Sequence, residues 1–482
     1  MEPIFVQVYN SQIITKLSPH LKSIKFWLAF FFVIRLVGIT NPPLERGHDW
    51  RQCLTNMISR NLYETDNNPF YPTVDNGGRH ESGIIASEFP VFNYCVYLVS
   101  LLFGYSHWYG RLINLILSTI AAWYFYKLLK EYFAESVAFN ATFLLTISIW
   151  FGFSRKSMPD TFSMSLMLMA IYHAFLFIKK NDGWRLAAYG ILASLAVLAK
   201  LPAIFAFSIL VLPIFSKTNI WLPKLSLVVT SLAVLSIGYW WYFVWDEYLF
   251  RTWWYQLFFP RTLKEGLQES MPFWNKALEQ FYFTAFQSFI AFATFLYGLY
   301  HCIKNKINLP LIILGVTFPV FIAFILKTGN VFALHNYYII PFVPVMALIG
   351  GIGLSNIPSK IYPWLLALIS IESIANQQND FFIKDSEKFK LTLNTEINKV
   401  VPKAEKIAMA GNTGPQYIYF AHRKGWGLSK EQTLDTSYMN FLIKKNYKYL
   451  VVIKREFSEL PQYQLLSENK DILIYKLGKT KI

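Results

Sequence analysis

Long apolar runs separated by short polar breaks dominate this chain. Eleven blocks, near 24–40, 111–128, 136–153, 161–178, 186–199, 202–216, 224–245, 283–303, 308–327, 337–355 and 361–377, are apolar over most of their length. A bilayer crossing needs about 20 such residues in a helix, so each block predicts a membrane-spanning helix. A twelfth block, 91–107, is long enough to cross, but it follows a long polar loop and contains Asn93 and Gly104.

The placement of cations decides how that block is read. If 91–107 lies on or dips into the membrane without crossing, one face collects Lys16, Lys22, Lys25, Lys127, Lys130, Lys179, Lys180, Arg185, Lys217, Lys224, Lys304, Lys306 and Lys360. Cytoplasmic loops carry such an excess of Lys and Arg. The pattern predicts eleven crossings, or up to thirteen if two long segments each hide a pair. The N-terminus is then cytoplasmic, with the first block, Phe26 to Val37, as a retained signal anchor. The loop 41–110, the loop 246–282 and the C-terminus face outward.

From about residue 379 the pattern changes. Charge and Asn rise, and short β-type runs appear at Lys406 to Ala410, Tyr417 to Phe420, Tyr449 to Ile453 and Ile472 to Tyr475. Tyr438 to Lys445 reads as a helix between them. Strands alternating with helical patterns predict a small α/β domain. The fold class is thus an all-α polytopic membrane protein over 1–378, including interfacial helices in the loop 41–110, with an outward α/β domain over 379–482. No repeat of fixed period and no glycine-rich phosphate loop is present.

Composition agrees. Hydrophobic residues make up 54% and charged residues 15%, against roughly 25% charged in soluble domains. The net charge of +16 sits mostly in short loops between apolar blocks, which sets topology and excludes nucleic acid as a partner. Cys53, Cys95 and Cys302 form neither a disulfide framework nor a metal pattern. Aromatics, at 18%, suit a membrane interface first and a sugar or lipid binder second.

Candidate chemistry gathers on the outward face. The first loop opens Glu45-Arg46-Gly47-His48-Asp49-Trp50-Arg51-Gln52 and closes Ser87-Glu88-Phe89-Pro90. A carboxylate in a dry setting beside an arginine has the makings of a general base; an ordinary solvated turn is the bland alternative. The second outward loop carries Arg155, Lys156 and Asp160. Lys200 stands alone between two spans, and Lys327 and His335 precede another, followed by Tyr338. Ionisable groups at membrane depth are costly and usually functional, and these suit an anionic lipid headgroup, although snorkelling explains single cases equally well. The loop 246–282 adds Trp253, Trp254, Tyr255, Phe258, Phe259 and Arg261, an interfacial anchor or a stacking surface for a sugar or isoprenoid.

Together these motifs resemble the GT-C class of membrane glycosyltransferases. Within it they are similar to the bacterial relatives of protein O-mannosyltransferases and of the lipid A aminoarabinose transferase. The likeness is carried by His48-Asp49-Trp50-Arg51-Gln52 with Ser59-Arg60-Asn61, Ser87-Glu88-Phe89-Pro90, Ser154-Arg155 with Met158-Pro159-Asp160, Ala199-Lys200-Leu201-Pro202 and His335-Asn336-Tyr337-Tyr338, over roughly 20–375. It implies a polyprenyl-phosphate sugar donor, a lipid, glycan or protein acceptor, and inverting transfer at the outer face of a bacterial cytoplasmic membrane. It places the base on Asp49, with His48 and Glu88 as alternates, because this chain has His-Asp where many members have Asp-Glu. The second-loop acid falls on Asp160. Arg51, Arg155, Lys156, Lys200, Arg261, Lys327, His335 and Tyr338 then become donor-phosphate or substrate groups. Some members use a divalent metal, so one is left open, although no dedicated ligand cage is visible. A transporter of lipid-linked glycans is the alternative reading, but neither inverted repeats nor broken midplane helices are evident. A subunit without chemistry is the third, against which the clustered ionisable groups argue.

Overall fold

Helix follows apolar run throughout. The computed structural model describes residues 21–45, 47–77, 82–216, 221–253, 255–257, 260–457 and 463–478. Lys16, Arg46, Lys217, Trp254, Phe258 and Phe259, named above, lie outside the described residues. Two units are compact in themselves, one comprising 1–39, 109–244 and 258–381 and the other 40–108, 245–257 and 382–482.

In the first unit all eleven apolar blocks fall on helices. Four helices are long and apolar enough to cross a membrane: Tyr109–Lys130, Pro159–Lys180, Trp221–Trp253 and Asn308–Thr328. A fifth span would be the pair Leu263–Thr284 and Phe289–Lys304, which bends by 86° at its break. The other described apolar helices are shorter. Pro159–Lys180 is the central one, buried along its apolar length. Pro159 starts it, where a missing N–H costs nothing, and Asn181 ends it in the left-handed region at φ 55°.

Close helix packing here depends on missing side chains. A Cβ on Gly353, in Val343–Ser355, would lie 2.2 Å from the Thr294 carbonyl oxygen of Phe289–Lys304. Gly351 would meet Ala141 of Glu135–Ile147 at 2.6 Å. Small residues let helix backbones approach where lipid offers no hydrophobic drive.

The block 136–153 is not one helix. It breaks after Ile147 and resumes at Trp150–Phe153. Gln377 bridges the break: its Nε2 donates to the Ile147 and Ser148 carbonyls at 3.3 and 3.1 Å, while its Oε1 accepts from Gly152 N at 2.8 Å. Backbone groups freed inside a membrane unit must find such partners.

The second unit is built on a five-stranded sheet of order β2-β1-β3-β5-β4. The strands are β1 Ile407–Ala410, β2 Gly425–Leu428, β3 Tyr449–Ile453, β4 Gln464–Glu468 and β5 Ile472–Lys476. β1 pairs in parallel with β2 and β3, and β5 runs antiparallel to β3 and β4. Side chains alternate across a strand. Ala408, Ala410, Leu450 and Val452 therefore pack with Met439 and Leu442 of the helix Thr436–Lys444. Ile407, Met409, Val451 and Ile453 face a core that includes Cys53, Leu54, Met57 and Ile58 of the helix Asp49–Glu64. Burying each such Leu, Ile or Met contributes about 1.5–3 kcal/mol. The loop 41–110, which the sequence division counts with the membrane part, thus packs in one unit with the C-terminal strands. Its Asp75–Gly77 stretch also pairs with β2, Gly425 N donating to Asp75 O and Gly77 N to Gly425 O, both at 2.9 Å.

One local expectation fails here, and two strands, β2 and β4, were not foreseen. Tyr417 to Phe420 is not a strand but part of the helix Pro415–Ala421. Its aromatic and β-branched residues favour a strand, yet Pro415 starts a helix, and Tyr417, Ile418 and Tyr419 bury in the core shared with Asp49–Glu64. β2, with two glycines in four residues, went unread. A Cβ on Gly425 would lie 2.8 Å from the Ile407 carbonyl oxygen, so glycine there serves close strand approach. The block 91–107 forms the helix Val91–Phe103 in this unit. Its 13 residues span ~20 Å, short of a bilayer core. Asn93 anchors it by donating to the Thr55 carbonyl at 2.7 Å and to Ser59 Oγ at 3.0 Å.

Candidate active site

In the second unit the loop residues sit at the start of the helix Asp49–Glu64. His48 is its N-cap, in the left-handed region at φ 62°, an unusual conformation for a residue with a side chain. Asp49 occupies the first turn, where the helix N-terminus favours a carboxylate. It is half-buried, and its Oδ2 accepts from Gln416 Nε2 at 3.3 Å. Arg51 and Glu88 form an ion pair, with side chains 11% and 13% exposed. Glu88 therefore carries a counter-ion, and the two alternate bases stand in different settings. Asp246, fully buried, feels the charge of Glu88.

In the first unit Asp160, Lys200, His335 and Tyr338 come together. Asp160 lies in the first turn of Pro159–Lys180, and its Oδ1 is 3.6 Å from Lys200 Nζ. That ammonium also lies 5.6 Å from the Tyr337 ring centroid. The His335 imidazole stacks on Tyr337 at 5.4 Å and 24°, and Tyr338 packs on Tyr337 at 4.7 Å. A small cavity is lined by Asp160, Ser163, Met164, Lys200, Pro202, Ala203, Tyr337, Tyr338, Ile340 and Pro341. Burial, and then the Lys200 ammonium, push the His335 imidazole below its usual range against a smaller upward pull from Asp160. A neutral imidazole beside one ammonium and one carboxylate results.

Arg155 and Lys156 occupy a neighbouring turn that is tightly held. Arg155 is buried and donates to the carbonyls of Arg35, Val37 and Asp380, its guanidinium stacked 3.9 Å from the Phe381 ring centroid. Lys156 Nζ pairs with Asp380 Oδ1 at 2.6 Å. Asn114 Nδ2 donates to the carbonyls of Phe153, Lys156 and Met158 at 3.0–3.2 Å. Arg35 donates to Ser154 Oγ at 2.7 Å. These contacts fix the turn that leads into Asp160. Arg261 and Lys327 form another group: Arg261 N donates to the Lys327 carbonyl at 3.0 Å, and its guanidinium pairs with Glu269 at 2.7 Å.

Arg35, Asn114, Gln377, Asp380, Glu269, Asp246 and Gln416 were not anticipated. Arg35, an isolated cation at the end of an apolar run, carried a signal. The others are ordinary polar residues until folding brings their partners near. Among the described residues no group of three or more His, Cys, Asp or Glu is placed to hold a metal ion.

The model of the dolichyl-phosphate-mannose-protein mannosyltransferase family matches residues 87–242. No curated protein matches the sequence. Among solved structures, ArnT from Cupriavidus metallidurans bound to undecaprenyl phosphate aligns over 95% of this chain and 99% of its own, at TM-score 0.60 and 10% identity. The oligosaccharyltransferase of Archaeoglobus fulgidus in its apo form aligns over 91% and 70%, at TM-score 0.56 and 14% identity. The same archaeal enzyme in complex with Zn and sulfate aligns over 89% and 68%, at TM-score 0.54 and 14% identity. At such identities the likeness is one of fold. The helical part, the small five-stranded sheet and these matches together give this chain the GT-C fold of membrane glycosyltransferases.

Proposed function

We propose that this protein transfers a sugar from a polyprenyl-phosphate donor to an acceptor hydroxyl, with inversion, at the outer face of a bacterial cytoplasmic membrane. The observation that carries the reading is the family match over 87–242, which contains Glu88, Arg155, Lys156, Asp160 and Lys200. The neighbour bound to undecaprenyl phosphate supports a lipid-phosphate donor.

The chemistry assigns each group a task. The acceptor oxygen attacks the anomeric carbon, and the bond from that carbon to the phosphate oxygen breaks. Asp49 takes the hydroxyl proton. Lys200, with His335 and Tyr338 beside it, stabilises the departing polyprenyl phosphate. That leaving group is already an anion of low basicity, so no second acid is needed, unlike glycoside hydrolysis. Asp160 holds Lys200 in place, and the fixed turn of Arg155 and Lys156 adds positive potential near that site.

The test is transfer in proteoliposomes, with a panel of radiolabelled polyprenyl-phosphate sugars and a membrane extract as acceptor. One donor should be consumed. Asp49→Asn should keep its melting temperature and lose about 10²–10⁴-fold in rate. An active Asp49→Asn moves the base elsewhere, to Glu88 first. Lipid-linked sugar that crosses the bilayer without being consumed would replace this reading with transport.

A further inference from the structure

We propose that Gln416, contributed by the C-terminal part of the chain, is a positioning residue for the Asp49 carboxylate, an inference that rests on Asp49 being the base. The contact is direct, Nε2 to Oδ2 at 3.3 Å. An ionised carboxylate only accepts hydrogen bonds, so the amide must present its N–H₂ to it. Holding one carboxylate oxygen restricts rotation of the group and leaves the other oxygen to receive the acceptor proton.

The surroundings are shaped for this contact. Asn412 Oδ1 accepts from Gly414 N at 2.8 Å, and Pro415 then starts the helix that carries Gln416. A Cβ on Gly414 would fall 2.4 Å from Gln416 Oε1 and 3.1 Å from Trp50 Cδ1. A methyl at position 414 would press on the end of the Gln416 amide, so glycine there leaves the amide its place beside Asp49. Gln416 Oε1 is buried without a hydrogen-bond partner. The amide is therefore not held as a link in a wider network, and its polar contact is spent on Asp49.

The two helices are also locked in register. Leu54, Met57 and Ile58 share a core with Tyr417, Ile418 and Ala421. Arg60 donates to the Tyr419 carbonyl at 3.1 Å, and Glu64 meets His422 at 2.8 Å. Gln416 is thus fixed by apolar packing along the same interface, rather than free to drift from Asp49.

The experiment uses the full chain in proteoliposomes, the radiolabelled donor consumed in the panel above, and Gln416→Met, which keeps volume and removes the donor N–H. A misplaced catalytic group costs up to about 10²-fold, so kcat should fall roughly 10- to 100-fold with donor KM and melting temperature unchanged. Gly414→Ala, which displaces the amide without altering it, should lower kcat in the same way. Combined with Asp49→Asn, Gln416→Met should cause no further loss, because its effect passes through that carboxylate. A wild-type kcat for Gln416→Met beside an inactive Asp49→Asn overturns this inference alone. So does an equal further loss in the double variant, which would mark a purely structural role. A wild-type rate for Asp49→Asn overturns the base assignment and this inference with it.

Discussion

Gly353→Ala tests the packing of the helical unit at a point of close backbone approach. The new methyl would sit 2.2 Å from the Thr294 carbonyl oxygen and 2.9 Å from Gly298 N. Ordinary contact begins at 3.4 Å, so 3.4 − 2.2 leaves about 1.2 Å for Val343–Ser355 and Phe289–Lys304 to give. Both obstructing atoms are backbone, which cannot rotate away. The facing side cannot absorb the shift either, because Gly351 is already against Ala141. Overpacking of this kind costs about 1–3 kcal/mol or more. Gly315→Ala is the control. It lies on the exposed side of Asn308–Thr328 with nothing within 4 Å of its Cβ, and alanine there should be neutral or stabilise by up to ~1 kcal/mol through helix propensity. Thermal unfolding of the purified protein in one detergent compares the two. Gly353→Ala should lower the midpoint by several degrees and Gly315→Ala should not. Equal midpoints for both variants would show that close backbone approach does not hold these helices together.

Two further predictions concern ionisable groups. Arg60 and Asp75 form a buried ion pair in the second unit, with Arg60 also stacked 4.8 Å from the Tyr419 ring. Arg60→Met strands the Asp75 carboxylate and should cost about 3–5 kcal/mol, softened by Lys424 at 3.8 Å. The double variant with Asp75→Leu should recover part of that loss in thermal unfolding, and no recovery would argue that Arg60 acts through packing alone. His335 is held below its usual range, so as pH falls the unfolded chain takes its proton first. Stability is then lost from about pH 6.5 downward, and the loss is complete below the folded value. His335→Gln removes that share, so its melting temperature should drop less than the wild-type value between pH 7.5 and 5.5. Parallel curves would refute the assignment.

The sequence by itself determined the apolar blocks and their helical state, because helices in lipid satisfy their backbone internally and announce themselves as uninterrupted hydrophobicity. Period and charge were enough for β1, β3, β5 and the helix Thr436–Lys444, whose runs match their local structure. Only the tertiary structure decided what depends on partners distant in sequence. Tyr417 to Phe420 became a helix because its side chains bury against Asp49–Glu64, and β2 became a strand because glycine admits the β1 backbone. The broken helix near Ser148 is completed by Gln377, more than 200 residues on, and Asp49 meets Gln416 across 367 positions. Asp380 and Gln416 carry no motif, since a polar side chain between apolar runs looks alike whether solvent or an opposite charge awaits it. Local pattern records what each segment buries, whereas the identity of its partner is settled by the chain's path through three dimensions.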